Sequence, residues 1–245
     1  MASIILTGAT GTAGSAVLTT ALASPLIAHV TVLARRAPAV THAKLETIIL
    51  PSDEYPGASF ESIPAGVIDR LRARGSSAVV WALGVSQVDV DKDTYVKITH
   101  DYTLEAAKAF ESLGTPDAPF RFVFVSSTSA DQAEKSYPFY TKIKGRAEKW
   151  LAEHETDAFK TVNVRPAGII PTPEHAHNVR WIQRTAISAM GWVMPSKVIQ
   201  STDLAKAAIG LAAGKGWEVR DEKEHWIDNL VLIKLAKAYD EEIAH

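Results

Sequence analysis

Residues 3–14 read Ser3-Ile4-Ile5-Leu6-Thr7-Gly8-Ala9-Thr10-Gly11-Thr12-Ala13-Gly14, and this stretch decides the fold. Its apolar start is short, β-branched and followed at once by glycine, as a buried strand of a parallel sheet is. A helix is expected directly afterwards, over residues 12–23. In such a turn Gly8 permits the tight bend, Gly11 lets the backbone approach a pyrophosphate, and Gly14 lets the helix pack on the strand. The helix dipole and its free amides then face the anion. Three glycines at this spacing recur by chance, and an ordinary strand-to-helix turn is the competing reading; the position between a strand and a helix makes the signal specific.

Outward from that turn, further strands are expected at 30–33, 45–50, 78–83, 120–125 and 160–164, with helices over 67–74, 93–113 and 137–154. Residues 51–66, rich in Pro, Ser and Gly, read as a loop. Strands alternating with helices require crossovers and hence a parallel sheet covered on both faces. The expectation is an α/β fold with a doubly wound parallel sheet, the Rossmann fold, in a single domain. Residues 1–165 would be its cofactor-binding core. After Pro166 the pattern loosens, and residues 166–245 are expected to form a small C-terminal substrate-side lobe with helices at 179–190, 202–213 and 229–243.

The composition agrees with one such domain: 245 residues, 47% hydrophobic and 22% charged. A net charge of −2, well mixed along the chain, gives no reason to expect nucleic acid. The chain has no cysteine, which excludes disulfides, thiolate catalysis and cysteine-ligated metals. Residues 1–28 are apolar and include Ala21-Leu22-Ala23, a cleavage-like triplet, but no Lys or Arg precedes Arg35 and the glycines interrupt the run, so a secretory signal is not expected. No apolar stretch is long enough to span a bilayer. A cytoplasmic monomer or homodimer is expected.

The end of the second strand bears on the cofactor. A carboxylate there would bond the ribose 2′-hydroxyl of NAD, whereas a 2′-phosphate needs positive charge. Here the strand runs into Arg35-Arg36, and no acidic residue occurs before Glu46. A guanidinium grips phosphate bidentately, so NADP (NADPH) is expected. Two solvated surface arginines are the alternative.

Tyr140-Thr141-Lys142-Ile143-Lys144 places a tyrosine and a lysine at i and i+4, on one helix face. A tyrosine with the reference pKa of about 10 is a poor acid at neutral pH, and a neighbouring ammonium favours its phenolate. Lys144 could also bond the nicotinamide ribose, and Tyr140 could protonate a carbonyl oxygen during hydride transfer. Upstream, Phe122-Val123-Phe124-Val125 delivers Ser126, Ser127 and Thr128 to the carboxyl end of a strand, where ligands bind. Ser127 is the candidate to orient the carbonyl; Ser126 and Thr128 compete, because one residue of register decides which faces the site. Tyr140 as a half-buried helix residue of no catalytic role is the plainer reading.

With these segments in place the chain resembles the short-chain dehydrogenase/reductase superfamily, in its extended or atypical branch, and within it the Tat-interacting-protein-like oxidoreductases. The likeness is carried by LTGATGTAG, VLARR, WALGVS, HDYTLEAAKAF, FVFVSSTSAD, YTKIKGRAEKWL and VNVRPAGIIP, with a weaker echo to the C-terminus. It implies that Leu83, Gly84 and Val85 line the adenosine-ribose side of the cofactor and that Pro166, Ala167, Gly168 and Ile169 pass the nicotinamide. Thr7, Gly8, Thr10, Gly11, Thr12 and Gly14 would hold the pyrophosphate. One departure stands out: members often carry an asparagine for a proton relay in the helix after the fourth strand, and no Asn lies between Ile5 and Arg121.

Glu174-His175-Ala176-His177 suggests a metal, but two histidines beside prolines lack a third ligand, so no metal is expected. Trp181, Trp192, Tyr95, Tyr137 and Phe139 would give an apolar substrate pocket, with core packing or an oligomer contact as the alternative. The leading expectation is an NADPH-dependent oxidoreductase acting on a small carbonyl or alcohol. Its rivals are a non-catalytic NADP(H)-sensing module and a nucleotide-sugar epimerase, the latter disfavoured by Arg35-Arg36.

Overall fold

The computed structural model describes residues 1–173 and 195–244. Its strands are β1 (Ala2–Thr7), β2 (Ile27–Ala34), β3 (Leu45–Ile49), β4 (Ser76–Trp81), β5 (Phe120–Val125), β6 (Phe159–Arg165), β7 (Gly168–Ile170), β8 (Val198–Gln200) and β9 (Trp226–Asp228). Seven of them form one sheet in the order β3-β2-β1-β4-β5-β6-β9, with every pair parallel. The order reverses between β1 and β4, which makes the sheet doubly wound. β7 and β8 form a separate parallel ribbon.

The helices are α1 (Thr12–Ala23), α2 (Ala65–Ala73), α3 (Lys92–Val96), α4 (Tyr102–Glu111), α5 (Phe139–Glu153), α6 (Ser201–Ala212) and α7 (Asn229–Ile243). Alternate strand residues point to opposite faces, and the sequence fills both with apolar side chains. Ile4, Leu6, Val30, Val80 and Val123 pack under α1, α6 and α7. Ile5, Leu33, Trp81, Phe122 and Phe124 pack under α2, α4 and α5. The second face is aromatic: Phe122 lies 5.8 Å from Trp81 and 5.9 Å from Phe159 between ring centroids.

Two features depart from the sequence reading. The helix expected over 93–113 is broken into α3 and α4 by a π turn at Lys97–Asp101. From the first turn of α4 Thr103 Oγ1 donates back to the Thr99 carbonyl of the π turn at 2.9 Å, a back-bond of the kind that bends helices. The C-terminal elements, in turn, enter the core. β9 extends the sheet beyond β6, and Leu204, Ile209, Ile227 and Leu232 belong to the same buried cluster as Ile4 and Leu6. Three-residue strands are too short to show periodicity, which is why β7, β8 and β9 escape a sequence reading. Buried Asn229 ties this region together: its Oδ1 accepts from Ala167 N at 2.8 Å, and its Nδ2 donates to the carbonyls of Ser196 and Val198. The helix expected at 179–190 lies outside the described residues. Among those described, no helix is long and apolar enough to cross a membrane.

Two helical glycines have opposite surroundings. A Cβ on Gly145 in α5 would come 2.0 Å from the carbonyl oxygen of Asp131, whereas on Gly210 in α6 it would meet nothing closer than Tyr239 Cδ2 at 4.0 Å. Gly210→Ala should therefore raise stability by about 0.5–1 kcal/mol through helix propensity. Gly145→Ala should lower it by about 1–3 kcal/mol through the backbone clash. Urea midpoints of both variants check this; a stabilised Gly145→Ala would contradict the packing described.

Candidate cofactor and active site

The carboxyl ends of β1 and β4 form the switch-point crevice of the sheet. There strand, loop and helix meet backbone to backbone. Gly8 has φ +67°, and a Cβ on it would sit 2.2 Å from the Ala82 carbonyl oxygen; one on Gly14 would sit 2.1 Å from the carbonyl oxygen of Gly8. Gly11 N donates to Gly8 O at 2.9 Å and closes the turn. No side chain caps α1 and its first turn has no acidic residue, so the amides and the positive helix end remain available to an anion. Thr7 is wholly buried, and its hydroxyl accepts from Leu83 N at 3.2 Å, which ties β1 to the loop after β4.

A cavity of about 550 Å³ opens beside this loop. Gly11, Thr12 and Ala13 line it from the turn, Leu83, Gly84 and Val85 from the end of β4, Ser126 from the end of β5, Lys144 from α5 and Ile169 from β7. Pro166, Ala167 and Gly168 are not on its wall; Pro166 instead accepts from Thr128 N through its carbonyl, and Ala167 is held by Asn229. Ser86, Asp89 and Thr99 also line the cavity and were not anticipated. Thr99 reaches it from the π turn, which leaves no mark in the periodicity.

On the other side of the glycine turn lies a smaller hollow of about 60 Å³, bordered by Gly8, Ala9, Thr10, Arg35, Arg36 and Phe60, with Leu83 shared between the two. Both arginines are exposed. Two carboxylates of the neighbouring elements are engaged elsewhere, Glu46 with Arg70 and Arg74, and Glu61 with Lys97. Phe60 comes from the loop after β3 and carried no sequence signal.

The Tyr140 and Lys144 side chains face different spaces. Lys144 borders the large cavity and its Nζ donates to the Ser126 carbonyl at 3.1 Å. Burial pushes its ammonium down to about 8, against the opposing pull of the Glu148 carboxylate. Glu148 is fully buried one turn further along α5, held by Arg165 Nε at 3.0 and 3.1 Å and by Gln132 Nε2 at 3.2 Å. Tyr140 borders a separate, more open hollow together with Thr128, Ser129, Ser136 and Thr141. The hydroxyls after β5 differ likewise. Ser126 is buried on the large cavity with its Oγ unpartnered. Ser127 Oγ bonds Ser129 Oγ at 2.7 Å, and Thr128 is exposed. The close approach of Gly145 to Asp131 presses this loop onto α5.

Of the expected aromatic lining, Tyr95 is buried with its ring 6.4 Å from that of Phe139, and Tyr137 is fully exposed. Trp181, Trp192 and the Glu174-His177 stretch lie outside the described residues. Among the described residues no three side chains are grouped to hold a metal.

A crossed parallel sheet with a glycine turn at its switch point and a Tyr-x-x-x-Lys helix beside it defines a short-chain dehydrogenase/reductase. The family model of the NAD dependent epimerase/dehydratase family matches residues 4–168, and the chain belongs to that family, an extended branch of the short-chain dehydrogenase/reductases. At the coarse level it is an NAD(P)-dependent oxidoreductase. Among curated proteins it is similar to the mitochondrial protein fmp52-1 of Aspergillus terreus, at 30% identity over 97% of this chain and 100% of the relative. It is similar also to mitochondrial protein fmp52 of Emericella nidulans, at 29% identity over 92% of this chain and 94% of the relative. A solved short chain dehydrogenase family protein from Francisella tularensis shares the fold, with a TM-score of 0.63 and 18% identity over 94% of this chain and 98% of that one.

The relatives' names correct one expectation. They point to mitochondria, so the cytoplasmic location expected from the sequence does not stand. That expectation rested on the missing cysteines and the missing secretory signal, and neither feature distinguishes one reducing compartment from another.

The Lys144 environment has a consequence for stability. Its folded pKa of about 8 lies below the 10.5 of a free lysine. Between these values the unfolded chain binds more protons, so stability rises with pH across that window, and below it the burial penalty is fully present. Lys144→Met should therefore be more stable than the wild type below pH 8, with the gap narrowing from pH 8 to 10.5. Denaturant midpoints of the two proteins across this range test it; a constant gap would contradict the burial of the ammonium.

Proposed function

We propose that this protein is an NADPH-dependent oxidoreductase that transfers hydride between NADP(H) and a small carbonyl or alcohol substrate. The observation that carries the reading is the continuity of the crevice. The arginine-bordered hollow, the glycine turn and the Lys144 cavity follow one another along the switch point, with Leu83 common to both spaces. The fit is supported by residues of this chain: Gly8 and Gly14 leave no room for a Cβ, the end of α1 is uncapped, and Arg35 and Arg36 offer cations where a 2′-phosphate would lie. The bound dinucleotide would supply or accept the hydride.

In this reading the backbone amides at Gly11 and Thr12 hold the pyrophosphate, and Arg35 with Arg36 selects the phosphorylated ribose. Lys144 bonds the nicotinamide ribose and supports Tyr140, which gives a proton to the carbonyl oxygen or removes one from the alcohol. Ser127 is the candidate to orient the carbonyl, from the same loop that borders the Tyr140 hollow.

A second reading, a module that binds NADP(H) as a signal without turnover, draws on one observation: Tyr140 borders a separate hollow and is not on the wall of the Lys144 cavity. NADPH oxidation measured against a panel of aldehydes, ketones and quinones separates the two. Turnover should be found, and Tyr140→Phe should reduce kcat by about 10²–10⁴ while leaving NADPH binding in place. Tight NADPH binding with no turnover on any substrate would favour the sensor, and unchanged turnover in Tyr140→Phe would remove the tyrosine from the chemistry.

A further inference from the structure

Among the described residues Glu148 is the one fully buried charged side chain, at 0% exposure. Burying a carboxylate is costly, and a buried ion pair adds little stability over a well-packed apolar pair, so its place in α5 needs a reason. Its partners trace a closed ring. Glu148 accepts from Arg165 Nε, at the end of β6, at 3.0 and 3.1 Å, and the carbonyl of the preceding Val164 accepts from Ser126 N at 2.8 Å. The Ser126 carbonyl in turn accepts from Lys144 Nζ at 3.1 Å, and Lys144 stands one turn before Glu148 in α5. Residues four apart share a helix face, so the carboxylate and the ammonium are neighbours on the side of α5 that meets the strand ends.

We propose that Glu148 is a positioning residue whose carboxylate, held in place by Arg165, keeps the neighbouring Lys144 ammonium charged at the crevice. This rests on the cofactor reading above, in which Lys144 supports Tyr140, and adds what maintains the charge of that lysine. The carboxylate is fixed from a second side as well. Gln132 Nε2 donates to it at 3.2 Å and to the Glu224 carbonyl at 3.1 Å, which ties it to the loop after β5 and to the approach to β9. Other charges stand around the pair. The Glu224 carboxylate lies 4.0 Å beyond Arg165, the Asp131 carboxylate is engaged by Ser136, and Asp89 belongs to the loop after β4 that borders the cavity. None of these acts on the ammonium as Glu148 does, and the pull of Glu148 opposes the burial that brings Lys144 down to about 8. Without that pull the lysine would lose its proton closer to neutral pH, and with it the charge that favours a tyrosine phenolate.

The test is the pH titration of Lys144 in the full chain without cofactor, followed by NMR of isotope-labelled lysine side chains and assigned through the signal that Lys144→Met removes. The wild-type ammonium should titrate at about 8. Glu148→Gln has nearly the same shape without the charge and should hold the Lys144 proton at least about tenfold less tightly, whereas Glu148→Asp should return it to within about threefold of the wild type. An unchanged titration in Glu148→Gln would overturn the proposal, as would an equal weakening in Glu148→Asp, because a merely structural role does not follow the charge. If Glu148→Gln does not fold, the double variant Glu148→Gln/Arg165→Met, which leaves no charge buried alone, takes its place; the same weakening is expected, and an unchanged titration again overturns the proposal. A wild-type protein that titrates in this way and binds no NADPH would instead overturn the cofactor reading.

Discussion

The structure depends on a backbone contact at the sheet's switch point. Gly8 lies against the Ala82 carbonyl and Gly14 against the carbonyl of Gly8, so β1, β4 and α1 approach with no side chain between them. A methyl group at either position would overlap a carbonyl at close to 2 Å, a distance that only main-chain movement could relieve. This approach aims the uncapped end of α1 into the crevice between β1 and β4. It also leaves the large cavity on one side of the turn and the arginine hollow on the other. Every other site residue is placed relative to it.

α5 is the second fixed point. Its Gly145 allows the loop from Ser126 to Asp131 to lie on the helix backbone, where Asp131 N donates to Thr141 O at 3.0 Å. One residue earlier Lys144 reaches the Ser126 carbonyl, and one turn later Glu148 is locked by Arg165. Burial works against the lysine's charge and the carboxylate works for it, so the ammonium is poised near neutrality instead of being fixed as a surface lysine would be. Arg165 stacks in turn over Trp226 of β9, at 4.9 Å from the ring centroid, which couples the helix of the site to the last strand of the sheet.

What was legible in the sequence had a local physical cause. The glycine turn and the bounds of α1 follow from a strand stopped by glycine, and α5 from a segment with its charges on one side. The six longer strands follow from apolar runs. The rest depended on tertiary context. Thr99 lines the cavity because a π turn rotates it there, and Phe60 closes the arginine hollow from an irregular loop. β9 is too short to announce itself, although it completes the sheet. The three hydroxyls after β5 could not be told apart by pattern, since a single residue of register turns Ser126 inward and Ser127 toward Ser129. Subcellular address lay outside what periodicity and composition encode.

In the proposed function the arginine hollow reads a 2′-phosphate at the far end of the crevice that the glycine turn organises. Titration of wild type and the double variant Arg35→Ala/Arg36→Ala with NADPH and with NADH tests it most directly. The wild type should bind NADPH at least about tenfold more tightly, and the double variant should lose this preference by weakening NADPH alone, as the removal of charge-assisted bonds to phosphate requires. Equal wild-type affinities for the two cofactors, or a preference that survives in the double variant, would contradict it.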